Sequence, residues 1–404
     1  MRLIYANPNS MPSTAPASLQ VIQAVSALAG QMDVHLIAKR EGRKDDRRSV
    51  ASYYGLELPV GLHMHLLPAL DLRIGRVRLS PPFAILALLK ILRLHLAGGR
   101  STVIVRDLRL GQFLLRCRRM IRLPVLLFET HEVFAVSLQD KMTGMNPGRI
   151  RKVEAREKYV YRHADGLICI TGNLARMIDE RYPVHGPVLI VPDGVDLSKF
   201  PNTRRDEHGR TLLYMGNLHH WKGIDILLEA MKEMPDVQLN IVGGTEERIR
   251  HYRELAVTLG VDKRVRFEGY VVPARRFEYY ASADAFVLPL RPVSIASYFT
   301  SPLKLFEYMA AGRPIIAADL PAIREVLRDE ENAIMVRPDD PQALAEGILR
   351  VLDDAALGRR LAEQAASDVR SYTWDERAAK IKAFVCTNWA PVCENVVDME
   401  KAKG

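Results

Sequence analysis

Thirteen short apolar runs recur along this chain, separated by longer stretches whose apolar residues keep helical spacing. In the first half the runs are RLIYAN, DVHLIA, MHLLPA, TVIVR, PVLLFET, GLICIT and VLIVP. In the second half they are TLLYMG, VQLNIVGG, VRFEGY, AFVLPL, PIIAAD and AIMVRP. A strand that is apolar throughout, rather than alternating, is covered on both faces, and the helical stretches supply the cover. The pattern therefore predicts parallel strands in a doubly wound α/β arrangement, in two Rossmann-like sets in series. A chain of 404 residues also exceeds one ordinary core and suits two domains. The expected division is 1–196 for the first domain, 197–210 (LSKFPNTRRDEHGR) for a polar linker, 211–372 for the second domain, and 373–404 for a last helix and tail.

Charge is uneven between the halves. Residues 1–200 carry 29 Lys and Arg against 17 Asp and Glu, whereas residues 201–404 carry 28 against 31. A basic half suits nucleic acid, an anionic membrane or an anionic small molecule, and charge alone does not choose among them. Cys117, Cys169, Cys386 and Cys393 are widely spaced with no C-x-x-C pair, so neither a zinc knuckle nor a disulfide framework is expected, and a reducing cytoplasm is the simpler compartment. The N-terminus enters an apolar strand directly, without the features of a signal peptide, and no run reaches the length of a membrane span.

In open parallel sheets, ligands bind beyond the carboxyl ends of the strands, so the residues just after each run carry most information. A cleft between two such domains is the expected pocket. TLLYMGNLHHWKGIDILLEAM places Gly216 at a strand exit and carries Lys222 and Gly223 into a helix. Glycine there permits close backbone approach, and a lysine beside a helix start suits a phosphate, although a solvated loop lysine reads the same way. NIVGGT adds Gly243 and Gly244, and FEGY adds Gly269 and Tyr270, at further exits. Neither G-x-x-x-x-G-K-[ST] nor G-x-G-x-x-G occurs, which argues against a P-loop protein and a dinucleotide dehydrogenase.

The stretch SPLKLFEYMAAGRPIIAAD reads as a helix with Ser301 as N-cap, Pro302 at its first position and Gly312 just past its end. Lys304 in its first turn opposes the positive end of the helix dipole unless an anion binds the amides there. A diphosphate would make that lysine favourable. Helical spacing sets Leu305, Phe306 and Met309 on the buried side, with Lys304, Glu307 and Tyr308 on the other. Glu307 would then face the same ligand, where a carboxylate suits a ribose diol. The plain alternative is a solvated i,i+3 pair of Lys304 with Glu307, worth about 0.2–0.5 kcal/mol.

Together with VPDGVDLSKF, NPNSMPSTAPASLQVIQAVSALA, LPVLLFETHEVF, HADGLICITGNLARMI, YYASADAFVLPL and SYTWDERAAKI, these segments resemble in their order the group 1 glycosyltransferases, glycosyltransferase family 4, over nearly the whole chain. The resemblance implies the GT-B architecture: two Rossmann-like domains facing an interdomain cleft, with the last helix returning toward the first domain. It implies transfer of a hexosyl-type sugar, with retention, from a UDP- or GDP-sugar to a glycan or lipid-linked acceptor, as in bacterial surface polysaccharide or glycolipid synthesis. It implies no cofactor and no metal ligand set.

Carried over by position, Lys222 and the helix start Ser301, Pro302, Leu303 and Lys304 hold the diphosphate, and Glu307 the ribose. Gly269 and Tyr270 line the base, Asp193 and Gly194 face the diphosphate, and Gly216, Asn217 and Gly243 complete the donor lining. His131 points at the donor sugar and, with Lys222 and Glu307, forms the catalytic set. Acceptor-binding candidates on the first domain are Asn9, Ser10, Ser13 and Arg106. Two positions depart from the family. Phe299 stands where many members carry the first acid of the E-x7-E element, and Asn217 where many carry an arginine, a loss that Lys304 offsets.

The segment 76–100 sets Arg76, Arg78, Lys90, Arg93 and Arg100 around a strongly apolar helix, 83–96. It suits either a membrane interface or a crossover helix buried on the sheet. With the basic first half, it leads to an expectation of peripheral attachment to the inner face of the plasma membrane. An epimerase of the same fold and a basic nucleic-acid-binding protein are the rival readings, the latter without any recognition motif. No nucleic-acid partner is expected, and the oligomeric state is not legible.

Overall fold

The computed structural model describes residues 1–40, 46–68, 72–74, 77–79, 83–98, 100–141, 147–200 and 209–389. They form two compact units, Met1–Pro192 with Trp374 onward, and Asp193–Thr373. In unit 1 the strands are β1 (Arg2–Met11), β2 (Asp33–Arg40), β3 (Leu62–Leu67), β4 (Leu72–Ile74), β5 (Val77–Leu79), β6 (Ser101–Val105), β7 (Val125–Thr130), β8 (Gly166–Cys169) and β9 (Val188–Ile190). Seven of these make one sheet in the order β3-β2-β1-β6-β7-β8-β9, and β4 and β5 form a separate antiparallel pair. The sheet is parallel throughout. Leu3, Ile4, Tyr5 and Ala6 are consecutive and all buried, as strands covered on both faces must be.

Unit 2 holds β10 (Thr211–Met215), β11 (Gln238–Val242), β12 (Val265–Gly269), β13 (Ala285–Leu288), β14 (Ile315–Ala318) and β15 (Ile334–Val336). They form a six-stranded sheet in the order β12-β11-β10-β13-β14-β15. Each of the thirteen apolar runs is thus a strand, and each unit is a doubly wound α/β layer structure. The β4–β5 pair had no counterpart in the sequence reading, because three-residue antiparallel strands leave no apolar run.

The units divide at Pro192, ahead of the expected linker at 197–210. The reason is local. Val195 donates its N–H to the Tyr372 carbonyl at 2.9 Å and Asp193 to Ser301 Oγ at 3.0 Å, so the PDGV turn belongs to unit 2. Of the expected linker, 201–208 lie outside the described residues, as do the tail 390–404 and Arg76. The last helix, Trp374–Asn388, packs Ala378, Ile381 and Val385 into the core that holds Leu3, Tyr5 and Leu36 in unit 1. Cys117 and Cys169 are free thiols, whereas Cys386 on this helix is disulfide-bonded, a bridge that the cysteine spacing did not suggest.

The helix Phe83–Gly98 buries Ala87, Ile91 and Leu94 while Ile85, Leu89 and Leu96 remain exposed. One face thus packs as a crossover helix does, and another shows apolar side chains to solvent. Among the described residues, no helix is long and apolar enough to cross a membrane.

Candidate active site

The chain leaves β10 toward β11 and β12 on one side and returns to β13 on the other, so the carboxyl ends of β10 and β13 mark the switch point of the unit 2 sheet. Gly216 leaves β10 with φ +143°, and a Cβ there would stand 2.9 Å from Lys304 Nζ. Gly223 has φ +68°, and a Cβ would overlap the carbonyl of Pro289, which directly follows β13. The turn carrying Lys222 is thereby pressed onto the neighbouring strand exit, a second reason for glycine besides its backbone angle.

Two lysines converge on this switch point. Lys222 is buried with Nζ 3.5 Å from the centre of the Trp221 ring. Lys304 is buried with Nζ 3.8 Å from the centre of the Tyr214 ring, and that nitrogen has no hydrogen-bond partner. Burial pushes Lys222 down to about 7. Burial and then the charge of Lys222 hold Lys304 well below the ordinary lysine value, and Glu307 offsets this only in part. Two buried lysine nitrogens that hold their protons weakly, beside glycine-lined backbone, form a site that an anion would complete.

The helix start differs from its expected form. Pro302, not Ser301, is the N-cap, with no side-chain cap bond, and the helix runs Leu303–Ala311 to Gly312 in the left-handed conformation. Ser301 Oγ instead accepts the N–H of Asp193 at 3.0 Å, which ties the PDG turn to the helix start. Every residue from Lys304 to Met309 is buried. Tyr308 therefore does not share a ligand face with Glu307. Its hydroxyl accepts the Met215 N–H at 2.9 Å, and its ring stacks on Phe286.

Glu307 forms no solvated pair with Lys304. Arg276 Nε donates to its Oε1 at 2.8 Å and Tyr280 to its Oε2 at 2.6 Å. Arg276 Nη2 also lies 2.7 Å from Oε1, so the lone-pair position left for a further donor is on Oε2. Gly243 donates to the Gly269 carbonyl at 2.6 Å, and a Cβ on Gly243 would lie 2.4 Å from the Gly216 carbonyl, so close packing of the three strand exits also requires glycine. Asn217 and Tyr270 are exposed, and Phe299, at the position of the missing acid, is 2% exposed.

In unit 1 the switch point lies between β1 and β6. Asn9 and Ser10 near the end of β1, Ser13 just beyond it, and Arg106 after β6 all stand at this sheet edge. Ser13 exchanges backbone bonds with the Tyr54 hydroxyl at 2.9 and 3.0 Å, which holds the loop. Arg106 donates to Gln20 at 3.1 Å, and its buried Nη1 has no partner. Asn7 Nδ2, and Nε and Nη1 of Arg377 on the last helix, are also buried donors without partners.

His131 follows β7, and its Nε2 lies 2.7 Å from Glu129 Oε1. Glu129 also accepts from Arg377 Nη2 at 3.0 Å and from the Tyr5 hydroxyl at 3.0 Å. Burial acts to raise the Glu129 pKa, but Arg377 and His131 outweigh it and hold this carboxyl far below its usual range. Just beyond His131, Glu157 accepts the N–H groups of Phe134 at 2.6 Å and Ala135 at 3.2 Å, fixing the start of the next helix. Sequence reasoning passed over Glu129, Arg377, Tyr5, Asn7, Arg276 and Tyr280. Glu129 had a signal, two residues before His131 on a strand end, where i and i+2 share a side. Arg377 had none.

Residues 17–199 match the model of Glycosyltransferase Family 4, and residues 209–354 match that of the Glycosyl transferases group 1. The chain belongs to the group 1 glycosyltransferases. It is 29% identical over 262 residues to D-inositol 3-phosphate glycosyltransferase of Xylanimonas cellulosilytica, a match covering 59% of this chain and 61% of that protein. It is 34% identical over 206 residues to phosphatidyl-myo-inositol mannosyltransferase of Mycobacterium tuberculosis, covering 47% and 52%. The chain thus spans between half and three-fifths of the length of these curated relatives. Among solved structures, sucrose-phosphate synthase from Thermosynechococcus elongatus superposes with TM-score 0.74 at 21% identity, covering 96% of this chain and 99% of that one. Anabaena HepE in complex with UDP-glucose superposes with TM-score 0.73 at 14% identity, covering 96% and 100%. These likenesses establish the GT-B fold for the family member described here.

Proposed function

We propose that this chain is a retaining hexosyltransferase whose unit 2 binds a nucleotide-diphosphate sugar and whose unit 1 binds a glycan or lipid-linked acceptor. The observation that carries the reading is the buried, partnerless Nζ of Lys304 near Lys222 at the unit 2 switch point. A diphosphate supplies the negative charge that this place lacks. As the sugar departs, charge grows on the phosphate oxygens, and prepositioned cations stabilise that charge without a covalent nucleophile. Glu307, steadied by Arg276 and Tyr280, takes the ribose diol through the lone-pair position left on Oε2. His131, oriented by Glu129, orients the donor sugar. The partnerless donors of Asn7, Arg106 and Arg377 suit the oxygens of an acceptor phosphate or sugar.

The names of the relatives support a sugar donor and an inositol- or lipid-bearing acceptor, and the neighbour with UDP-glucose supports uridine over guanosine. The exposed Ile85, Leu89 and Leu96 beside exposed Arg93 support contact with an anionic membrane surface. A thermal-shift series of UDP- and GDP-hexoses against the full chain tests the donor half, because a ligand of the folded state alone raises the melting temperature. One base series is expected to shift the transition and to yield new glycoside only when an acceptor is added. Absence of any shift across both series would overturn the reading.

A further inference from the structure

Far from the strand exits, at the amino ends of β2 and β3, four chemically active side chains meet. Asp33 and His35 belong to D-x-H on β2, and His63 and His65 to H-x-H on β3. Alternate residues of a strand share a face, and the parallel register sets His35 opposite His63, so all four side chains fall on one side of the sheet. We propose that Asp33, His35 and His63 form a binding site for a late first-row divalent cation, zinc in the first instance, which pins this edge of the unit 1 sheet.

Geometry is the first argument. Four-coordinate zinc holds nitrogen and oxygen ligands at about 2.0–2.1 Å, so tetrahedral ligand atoms stand roughly 3.3 Å apart. Asp33 Oδ1 lies 3.4 Å from His35 Nε2 and 3.3 Å from His63 Nε2, and all three ligand atoms fall within 4.8 Å of one another. The second argument is an unmet need. His35 is 7% exposed, and its buried Nε2, aimed at Asp33, makes no hydrogen bond. A cation at that nitrogen satisfies it.

The surrounding bonds orient the ligands. His35 Nδ1 lies 2.9 Å from His65 Nε2; with a cation on Nε2, the imidazole proton sits on Nδ1 and is donated to His65. Arg2 Nε donates to Asp33 Oδ2 at 2.8 Å and leaves Oδ1 for the ion. The fourth position is left for water or an added ligand. His63 and His65 also line a surface groove with Arg40 and Arg47, which gives an entry path. Arg2 acts on His35 and Lys90 on His65 by charge, Arg40, Arg47 and Asp46 line the same groove, and the net repulsion limits affinity.

The test uses the full chain without a histidine tag, stripped of metal and titrated with Co²⁺ by visible absorbance and with Zn²⁺ by calorimetry. One equivalent per chain is expected, with the intense bands of four-coordinate Co²⁺ and a higher melting temperature in Zn²⁺. His63 is half exposed, so His63→Ala should fold normally yet lose the bands. His65→Ala should weaken binding about 10- to 100-fold, the usual effect of losing a ligand's supporting bond. His185→Ala, at an exposed position, should change nothing. No saturable binding by the wild-type chain, or binding unaltered in His63→Ala, overturns the proposal.

Discussion

Each unit of this molecule has near its candidate site a buried glutamate held by an arginine and a tyrosine, yet the two centres differ in how their charges are paired. In unit 1, Glu129 is held by Arg377, Tyr5 and His131, and the acid and its cations are present together. In unit 2, Arg276 and Tyr280 already occupy Glu307, so Lys222 and Lys304 remain without a dedicated acid. The first centre is charge-compensated by the chain itself. The second offers its lysines no acid of their own, and in the proposed reading an anionic ligand takes that place. On that difference rests the proposal that a diphosphate binds unit 2 while unit 1 receives the acceptor.

Removing an arginine from each triad should give the largest effects and should separate the two centres. Arg276→Met leaves Glu307 buried with Tyr280 as its hydrogen-bond partner and the weakly protonated Lys304 as the cation acting on it, and breaking a buried pair this way costs about 3–5 kcal/mol. Arg377→Met leaves Glu129 with His131 and Arg106 still acting on it, so its loss should be smaller. Urea unfolding of the two variants measures the contrast. Equal losses would mean that the unit 1 centre is no better compensated than the unit 2 centre.

The lysines come next. Lys304→Met and Lys222→Met should each cost about 1.5–3 kcal/mol in affinity for a nucleoside diphosphate, roughly ten- to a hundredfold, and much less for the nucleoside. Calorimetry with both ligands reads this, and equal losses for nucleoside and diphosphate would place the lysine elsewhere. The same substitutions should stabilise the ligand-free protein at neutral pH. Between about 7 and 10.5 an unfolded chain holds the Lys222 proton and the folded chain does not, so wild-type stability falls as pH drops through that window. Lys222→Met should flatten that slope.

A smaller effect sharpens the unit 1 side. Burial raises Glu157 to about 7 against an ordinary 4.5, although Tyr182 and the Phe134 and Ala135 amides pull it back down. In that interval the folded chain keeps a proton that the unfolded chain loses, so this group favours the fold at low pH and ceases to as pH rises toward 7. Glu157→Gln should remove that decline in a pH series of melting temperatures. An unchanged series would mean that Glu157 is ionised throughout.

The strands and the switch points were legible because parallel strands buried on both faces leave unbroken apolar runs and because glycine marks their exits. Lys222 was legible for the same reason, in the loop that follows β10, and Lys304 because a lysine in the first turn of a helix opposes the dipole. What holds the acids was not. Arg377 is 248 residues from Glu129 and Arg276 is 31 from Glu307, and no local pattern links such pairs. The helical wheel misplaced Tyr308 because it assumed one wet face, whereas this helix is covered on every side. The Asp33, His35 and His63 cluster escaped notice because its two alternating pairs sit on strands whose neighbourhood emerges only from the sheet order.

The central claim is that burial loosens the protons of the unit 2 lysines and that a bound diphosphate restores them. It is tested most directly by titrating UDP into the full chain near pH 8, by calorimetry, in buffers of different ionisation enthalpy. Should GDP be the base recognised in the thermal-shift series, it replaces UDP. The account predicts net proton uptake on binding, because the ligand's charge restores the lysine pKa values, and predicts that uptake shrinks in Lys304→Met and Lys222→Met. Binding of the diphosphate with no proton uptake, or with the same uptake in both variants, would contradict it.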